Sequence, residues 1–189
     1  MNKNIILAGV GGQGLVLATK IISETAFRAG LEVKTNDVIG LSQRGGMVWG
    51  SVRMGEKVYS PNIPAKEGDI LVGLEPLEAF RWSHLMKDGG HIILNTKEVY
   101  PTPVLLEEVD YPHEEIEGLE NRYKVVKINA REEAKEAGNI KAANTVLIGM
   151  LAKLLTIPNS IWEETIRDNV PPKAIDVNIQ AFYRGYNYL

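Results

Sequence analysis

The strongest chemical signal in the chain is a glycine run near its start, Gly9-Val10-Gly11-Gly12-Gln13-Gly14. Gly9, Gly11 and Gly14 fit the spacing G-x-G-x-x-G. A loop of this kind lets backbone come close to a phosphate, and a helix that starts directly after it aims its free amides at the anion. Glycines at this spacing also serve simply to pack a helix onto a sheet, and both readings stand. A second cluster, Ser42-Gln43-Arg44-Gly45-Gly46, sets a guanidinium fork beside backbone free to take positive φ. That combination suits a phosphate or a carboxylate; its plainer meaning is a surface arginine before a tight turn. Asn144, on a helical stretch shared with Gly149, is a third candidate, as a polar ligand or as a packing residue.

Other chemistries are poorly supplied. A nicotinamide-dependent dehydrogenase places an acidic residue about 20 residues past the glycine loop, where it holds the ribose. Here Asp37 falls a few residues late, after the polar Lys34-Thr35-Asn36, and Gln13 within the loop is unusual. The dinucleotide fingerprint is therefore incomplete. The sequence has no G-x-S-x-G, no cysteine and no histidine beside a fitting partner, so no nucleophile–base pair and no catalytic residue is assigned. His84, His91 and His113 are dispersed without metal-ligand spacing, and no metal site is expected. Glu75 reads first as a carboxylate at a helix N-terminus, and the acidic run from Glu107 to Glu120 as a solvated face. Trp49, Trp82, Phe182 and Tyr186 read as core or interface.

The candidates need a frame that brings them to one edge. Residues 5–8 form an apolar run of the kind buried on both faces of a sheet. After the glycine loop, Leu15, Ala18, Ile22, Ala26 and Ala29 make one helical stripe, with Gly30 as its C-terminal cap. Residues 31–35 give a second strand, so a parallel pair with a right-handed crossover is expected. Residues 47–54 and 57–59, around a Gly55-Glu56 turn, read as a β-hairpin, which makes the sheet mixed. Further strands are expected at 69–73, at 91–95 after a turn at Asp88-Gly89-Gly90, at 123–128, and briefly at 104–106 in an otherwise solvated connection. Helices are expected at 76–86, 140–155, 160–169 and 174–186, with Gly149 marking close packing of a helix on the sheet. The fold class is α/β, a three-layer Rossmann-like single domain over residues 1–189. Both glycine clusters then fall at strand ends on one side of the sheet, where such folds place ligands.

Composition narrows the function. The chain has 189 residues, a usual size for one domain, and carries 21 basic against 24 acidic residues, a net charge of −3. A nucleic-acid binder normally shows a basic excess, so that class is set aside. With no cysteine, the chain holds no disulfide and no cysteine-ligated iron–sulfur cluster. No apolar run approaches the ~20 residues of a membrane span, and the N-terminus lacks signal-peptide features. The expected location is the cytoplasm.

Taken in order, Gly9 to Gly14, Ser42 to Gly46, the strand at 48–53, Asn144 with Leu147-Ile148-Gly149, and Asn178 with Ala181-Phe182 and Gly185 resemble the gamma subunits or domains of 2-oxoacid:ferredoxin oxidoreductases. Within that family the chain is most similar to the small (beta) subunits that act on indolepyruvate. The resemblance spans nearly the whole chain.

This resemblance implies an oxidative decarboxylation in which a 2-oxoacid, coenzyme A and oxidised ferredoxin yield acyl-CoA, CO2 and reduced ferredoxin. Thiamine diphosphate with Mg2+ and 4Fe–4S clusters supply that chemistry. The chain has no cysteine for clusters and no Gly-Asp-Gly…Asn stretch for thiamine diphosphate, so the resemblance puts both on a larger catalytic subunit, with ferredoxin reached through the complex. It places Gly9, Gly11, Gly12, Gln13 and Gly14 against a phosphate or the pantetheine arm of coenzyme A, and Arg44, Gly45, Gly46 and Asn144 near the same cleft. The isolated chain is then inactive and pairs with itself through apolar surface its partner would cover. A free-standing NAD(P)- or flavin-binding oxidoreductase and a nucleotide-binding regulatory module are the alternatives.

Overall fold

The first apolar run supplies the central strand, β1 (Lys3–Val10). Ile5 and Leu7 enter one core while Ile6 and Ala8 enter the other, as a strand covered on both faces demands. The computed structural model describes residues 2–39 and 46–189. After the glycine loop comes α1 (Leu15–Arg28). It ends where the Gly30 amide donates to the Phe27 carbonyl and the Leu31 amide to Ala26, the paired bonds of a glycine-terminated helix.

β2 (Glu32–Ile39) and β3 (Met47–Gly55) follow. The sheet has six strands in the order β2-β3-β1-β4-β5-β6, with β4 (Gly68–Gly73), β5 (Met86–Asn95) and β6 (Lys124–Ile128) running parallel to β1. β3 is antiparallel to both of its neighbours, β1 and β2. The sheet is thus mixed, as expected, but the details differ. β1 and β2 point the same way without pairing, because β3 is inserted between them. The expected hairpin with residues 57–59 is absent, since both edges of β3 are already taken. Side chains tether the returning segment instead: Ser51 Oγ donates to the Pro61 carbonyl at 2.8 Å, and Arg53 Nη1 to those of Ser60 and Asn62 at 3.2 and 2.8 Å.

Two other expectations need correction. The turn at Asp88-Gly89-Gly90 lies inside β5, where the register against β4 shifts, so it is a bulge. Near Val104 the chain forms a short helix, α3 (Thr102–Leu105), and no strand. Pro101 and Pro103 remove ladder donors yet suit a helix start.

The helices sit on both faces of the sheet. α2 (Pro76–Trp82) covers one face together with Tyr111, Tyr123 and the short α4 (His113–Glu117). The other face carries α1, α5 (Ala130–Glu136), α6 (Ala143–Lys153), α7 (Asn159–Asn169) and α8 (Ile175–Tyr186). α5 has no counterpart in the sequence reading; it is short, and its start is marked by Asn129, whose Oδ1 accepts from the Glu132 amide. α6 and α8 cross at backbone contact. A Cβ on Gly185 would stand 1.8 Å from the Val146 carbonyl oxygen, and one on Gly149 2.0 Å from that of Phe182. Gly149 therefore admits a helix, not the sheet, as its close neighbour.

Candidate functional site

The glycine loop leaves the C-terminal end of β1 and is held from within by one side chain. Gln13 Oε1 accepts from the Val10 amide at 2.7 Å while Gln13 Nε2 reaches the Leu74 carbonyl at 3.4 Å. Leu74 lies just past β4, so the carboxamide ties the loop to the neighbouring strand end. Asn144, at the start of α6, donates through Nδ2 to the Gln13 carbonyl at 2.7 Å. Both amide side chains are thus used in shaping the loop, and the loop's backbone is what faces outward. Gly14 has φ of 79° and is the residue before α1. A Cβ there would be 3.0 Å from Asn144 Nδ2, so chain direction and close approach both require glycine.

No side chain caps the α1 amides and no acidic residue occupies the first turn. These amides, with the positive end of the helix dipole, form an anion-accepting edge. The second cluster joins it: the Gly11 amide donates to the Gly46 carbonyl at 2.8 Å, which places Gly46 beside the loop at the start of β3. Arg44 and Gly45 lie outside the described residues.

In front of the loop opens a cleft of about 690 Å³, walled by the start of α1, the N-terminus of α6 and residues 170–178. Lys141 and Lys173 stand at it, and no acidic side chain among the described residues lines it. Thr145 Oγ1 donates to Asn178 Oδ1 at 2.6 Å, and Asn178 Nδ2 to the Ala174 carbonyl at 2.8 Å, while Leu17, Ile148 and Val177 make apolar wall. Amides and two ammonium groups suit phosphate; the apolar wall suits an alkyl arm. Lys141 and Lys173 were invisible to sequence reasoning as site residues. Each is an ordinary surface lysine by type, brought to the loop by segments some 130 and 160 positions away.

The remaining candidates lie elsewhere. Asp37 pairs with Gly50 in the β2–β3 register and lies outside the cleft lining. Partial desolvation in that packing raises its carboxyl above the usual range, against a hydrogen bond from Thr19. It is not placed to hold a ribose in the cleft. Glu75 is fully buried and serves as the α2 cap, its Oε2 accepting from the Glu78 amide at 2.9 Å. Its Oε1 accepts from the Tyr111 hydroxyl at 2.6 Å and the Val99 amide at 3.3 Å. Burial and this carboxylate together push the Tyr111 phenol far above its ordinary value. Trp49 stacks on Trp82 at 4.3 Å, and Phe182 lies wholly in the core. Among the described residues no group of three metal-ligating side chains comes together.

A glycine loop on the first strand–helix turn, beside a basic and partly apolar cleft, defines the class as a Rossmann-like α/β domain. The model of the pyruvate ferredoxin/flavodoxin oxidoreductase family matches residues 4–188, and the chain belongs to that family. It is 39% identical over 192 residues to the indolepyruvate oxidoreductase subunit IorB of Archaeoglobus fulgidus, covering 99% of this chain and 95% of that one. It is 31% identical to the common subunit gamma of the pyruvate/ketoisovalerate oxidoreductases of Pyrococcus furiosus, covering 94% and 92%. Among solved structures, the gamma subunit of a keto/oxoacid ferredoxin oxidoreductase from Geobacter sulfurreducens superposes with a TM-score of 0.75 at 24% identity, over 99% of this chain and 95% of that one. A 2-oxoglutarate:ferredoxin oxidoreductase from Magnetococcus marinus, with 2-oxoglutarate, coenzyme A and succinyl-CoA bound, gives 0.76 at 22% identity, over 98% of this chain and 30% of that longer one. At these identities the two structures speak for the shared fold.

Proposed function

We propose that the chain is the small subunit of a 2-oxoacid:ferredoxin oxidoreductase acting on an arylpyruvate such as indolepyruvate, and that it forms the coenzyme A side of the active cleft. The single observation that carries this reading is the glycine-loop cleft, basic, free of carboxylates among the described residues, and walled in part by apolar groups. The names of the relatives at 39% identity support the substrate class. The reaction joins the acyl part of the 2-oxoacid to the coenzyme A thiol, releases CO2, and passes the electrons to ferredoxin. Thiamine diphosphate and the clusters supply the carbanion and electron chemistry. This chain's donor set fits neither, since it has no cysteine and no three-ligand group among the described residues; both belong to the larger partner. The part played here is binding and orientation: the α1 amides with Lys141 and Lys173 hold phosphate and the apolar wall receives the pantetheine arm, while the resemblance adds Arg44 with Gly45-Gly46 as contributors to the cleft.

Reconstitution tests it. Neither this chain nor the large subunit alone should reduce ferredoxin with indolepyruvate and coenzyme A, and the mixture should. Arg44→Ala should leave assembly intact and raise the apparent KM for coenzyme A or the 2-oxoacid. Turnover of a keto acid by this chain alone, or tight nicotinamide or flavin binding with turnover, would overturn the assignment.

A further inference from the structure

Charge is unevenly spread along the chain. Residues 98–121 hold eight acidic residues and no lysine or arginine, while the rest of the chain holds 21 basic against 16 acidic. This acidic arch connects β5 to β6 and includes α3 and α4. Its inner side is well anchored: Tyr111, Ile116 and Leu119 are buried in the α2-side core, and Glu75 bonds both the Tyr111 hydroxyl and the Val99 amide. Its outer side is apolar and open. Leu105 is 66% exposed, Leu106 63%, Val109 55% and Tyr100 43%, and Tyr100 and Leu105 line an open cavity of about 860 Å³ whose lining, outside the arch, also carries Lys97 and Arg131. Between and beside them stand exposed carboxylates. Glu98 pairs with His113 and Glu120 with Lys127, but Glu107, Glu108, Asp110, Glu114, Glu115 and Glu117 have no ion-pair partner among the described residues.

We propose that this arch docks a basic, apolar-bearing surface of the larger subunit, an inference that rests on the subunit reading above. Exposed apolar side chains held on a tied-down segment, with six unpaired carboxylates in the same segment, have the make-up of an interface with its complement missing. The exposed part of the arch supplies a portion of one side, for a standard interface uses about 20–30 residues a side. Charge selects the occupant. A second copy meeting the same face across a two-fold axis would bring these carboxylates together, and an anionic membrane would repel them. A basic protein surface is attracted.

Binding of this chain to the purified large subunit, followed kinetically at low and high salt, tests the inference. Leu105→Ser/Leu106→Ser should weaken the complex about tenfold, mainly by faster dissociation. Glu107→Lys/Glu108→Lys/Asp110→Lys should slow association about tenfold at low salt and flatten its salt dependence. All these side chains are exposed, so circular dichroism and the thermal midpoint should match wild type. Wild-type binding with both variants unaffected would overturn the docking face while leaving the subunit reading in place. Failure of the wild-type chain to bind at all would overturn the subunit reading itself. Variants that dissolve a homodimer yet keep full affinity for the large subunit would reassign the face to self-association and overturn the proposal.

Discussion

Glu75 shows how much one side chain can organise. It is a fully buried carboxylate whose oxygens accept three hydrogen bonds, from a hydroxyl and two amides. Among the described residues no cation pairs with it, so those bonds and the α2 terminus stabilise its position. Glu75→Gln puts an amide donor where a donor already points, and should lower stability by about 1–3 kcal/mol in a urea titration. His91, half-buried in β5, gives a pH effect. Desolvation, then repulsion from Lys124, Lys3 and Lys87, holds it below its ordinary 6.5. The folded state prefers the neutral ring, so its contribution is complete above that value and is lost as pH falls through the lowered one. Wild type should therefore lose stability as pH falls below about 6.5, and His91→Gln should lose less. At this scale Glu75 was legible as a helix-start carboxylate, because capping is local. Its bonds to Tyr111 and Val99 were not, because nothing in residue type or spacing foretells a contact 36 positions away.

At the scale of elements, the α6–α8 crossing is the most exacting contact. Gly149 and Gly185 let the two backbones touch, and a methyl on Gly185 would meet the Val146 carbonyl at 1.8 Å. Backbone cannot swing aside as a side chain can, so Gly185→Ala should cost about 3 kcal/mol. A thermal midpoint within a degree or two of wild type would contradict the contact. Most strands and long helices could be placed from their apolar periodicity, β1 and α1 best of all. The hairpin at 57–59 failed for a reason of connectivity. Alternation identifies a strand but not its neighbours, and the insertion of β3 between β1 and β2 used both of its edges. α5 escaped notice because seven residues carry too few apolar positions to establish a period.

For the molecule as a whole, the cleft is a joint product of remote segments: the loop after β1, the start of α6, and the stretch between α7 and α8. Its lysines test that assembly. Lys141→Ala/Lys173→Ala should leave binding to the large subunit unchanged and raise the KM for coenzyme A about tenfold, taking roughly 0.7 kcal/mol per exposed charge contact. An unchanged KM would remove the lysines from the site. The charge map divides labour in the same way: a cleft lined by no carboxylate among the described residues lies at the glycine loop, and an acidic arch follows β5.

The order of amino acids alone determined the glycine loop, the α/β class, the lack of cysteine chemistry and the family resemblance. These rest on local spacing, composition and motif order, which a linear chain carries in full. Only the tertiary structure decided that β3 separates β1 from β2, that Gln13 and Asn144 turn inward to brace the loop, that two distant lysines face it, and that Glu75 pins an acidic arch with its apolar side outward. Each of these depends on which segments become neighbours in space, and that is settled by packing over the whole fold.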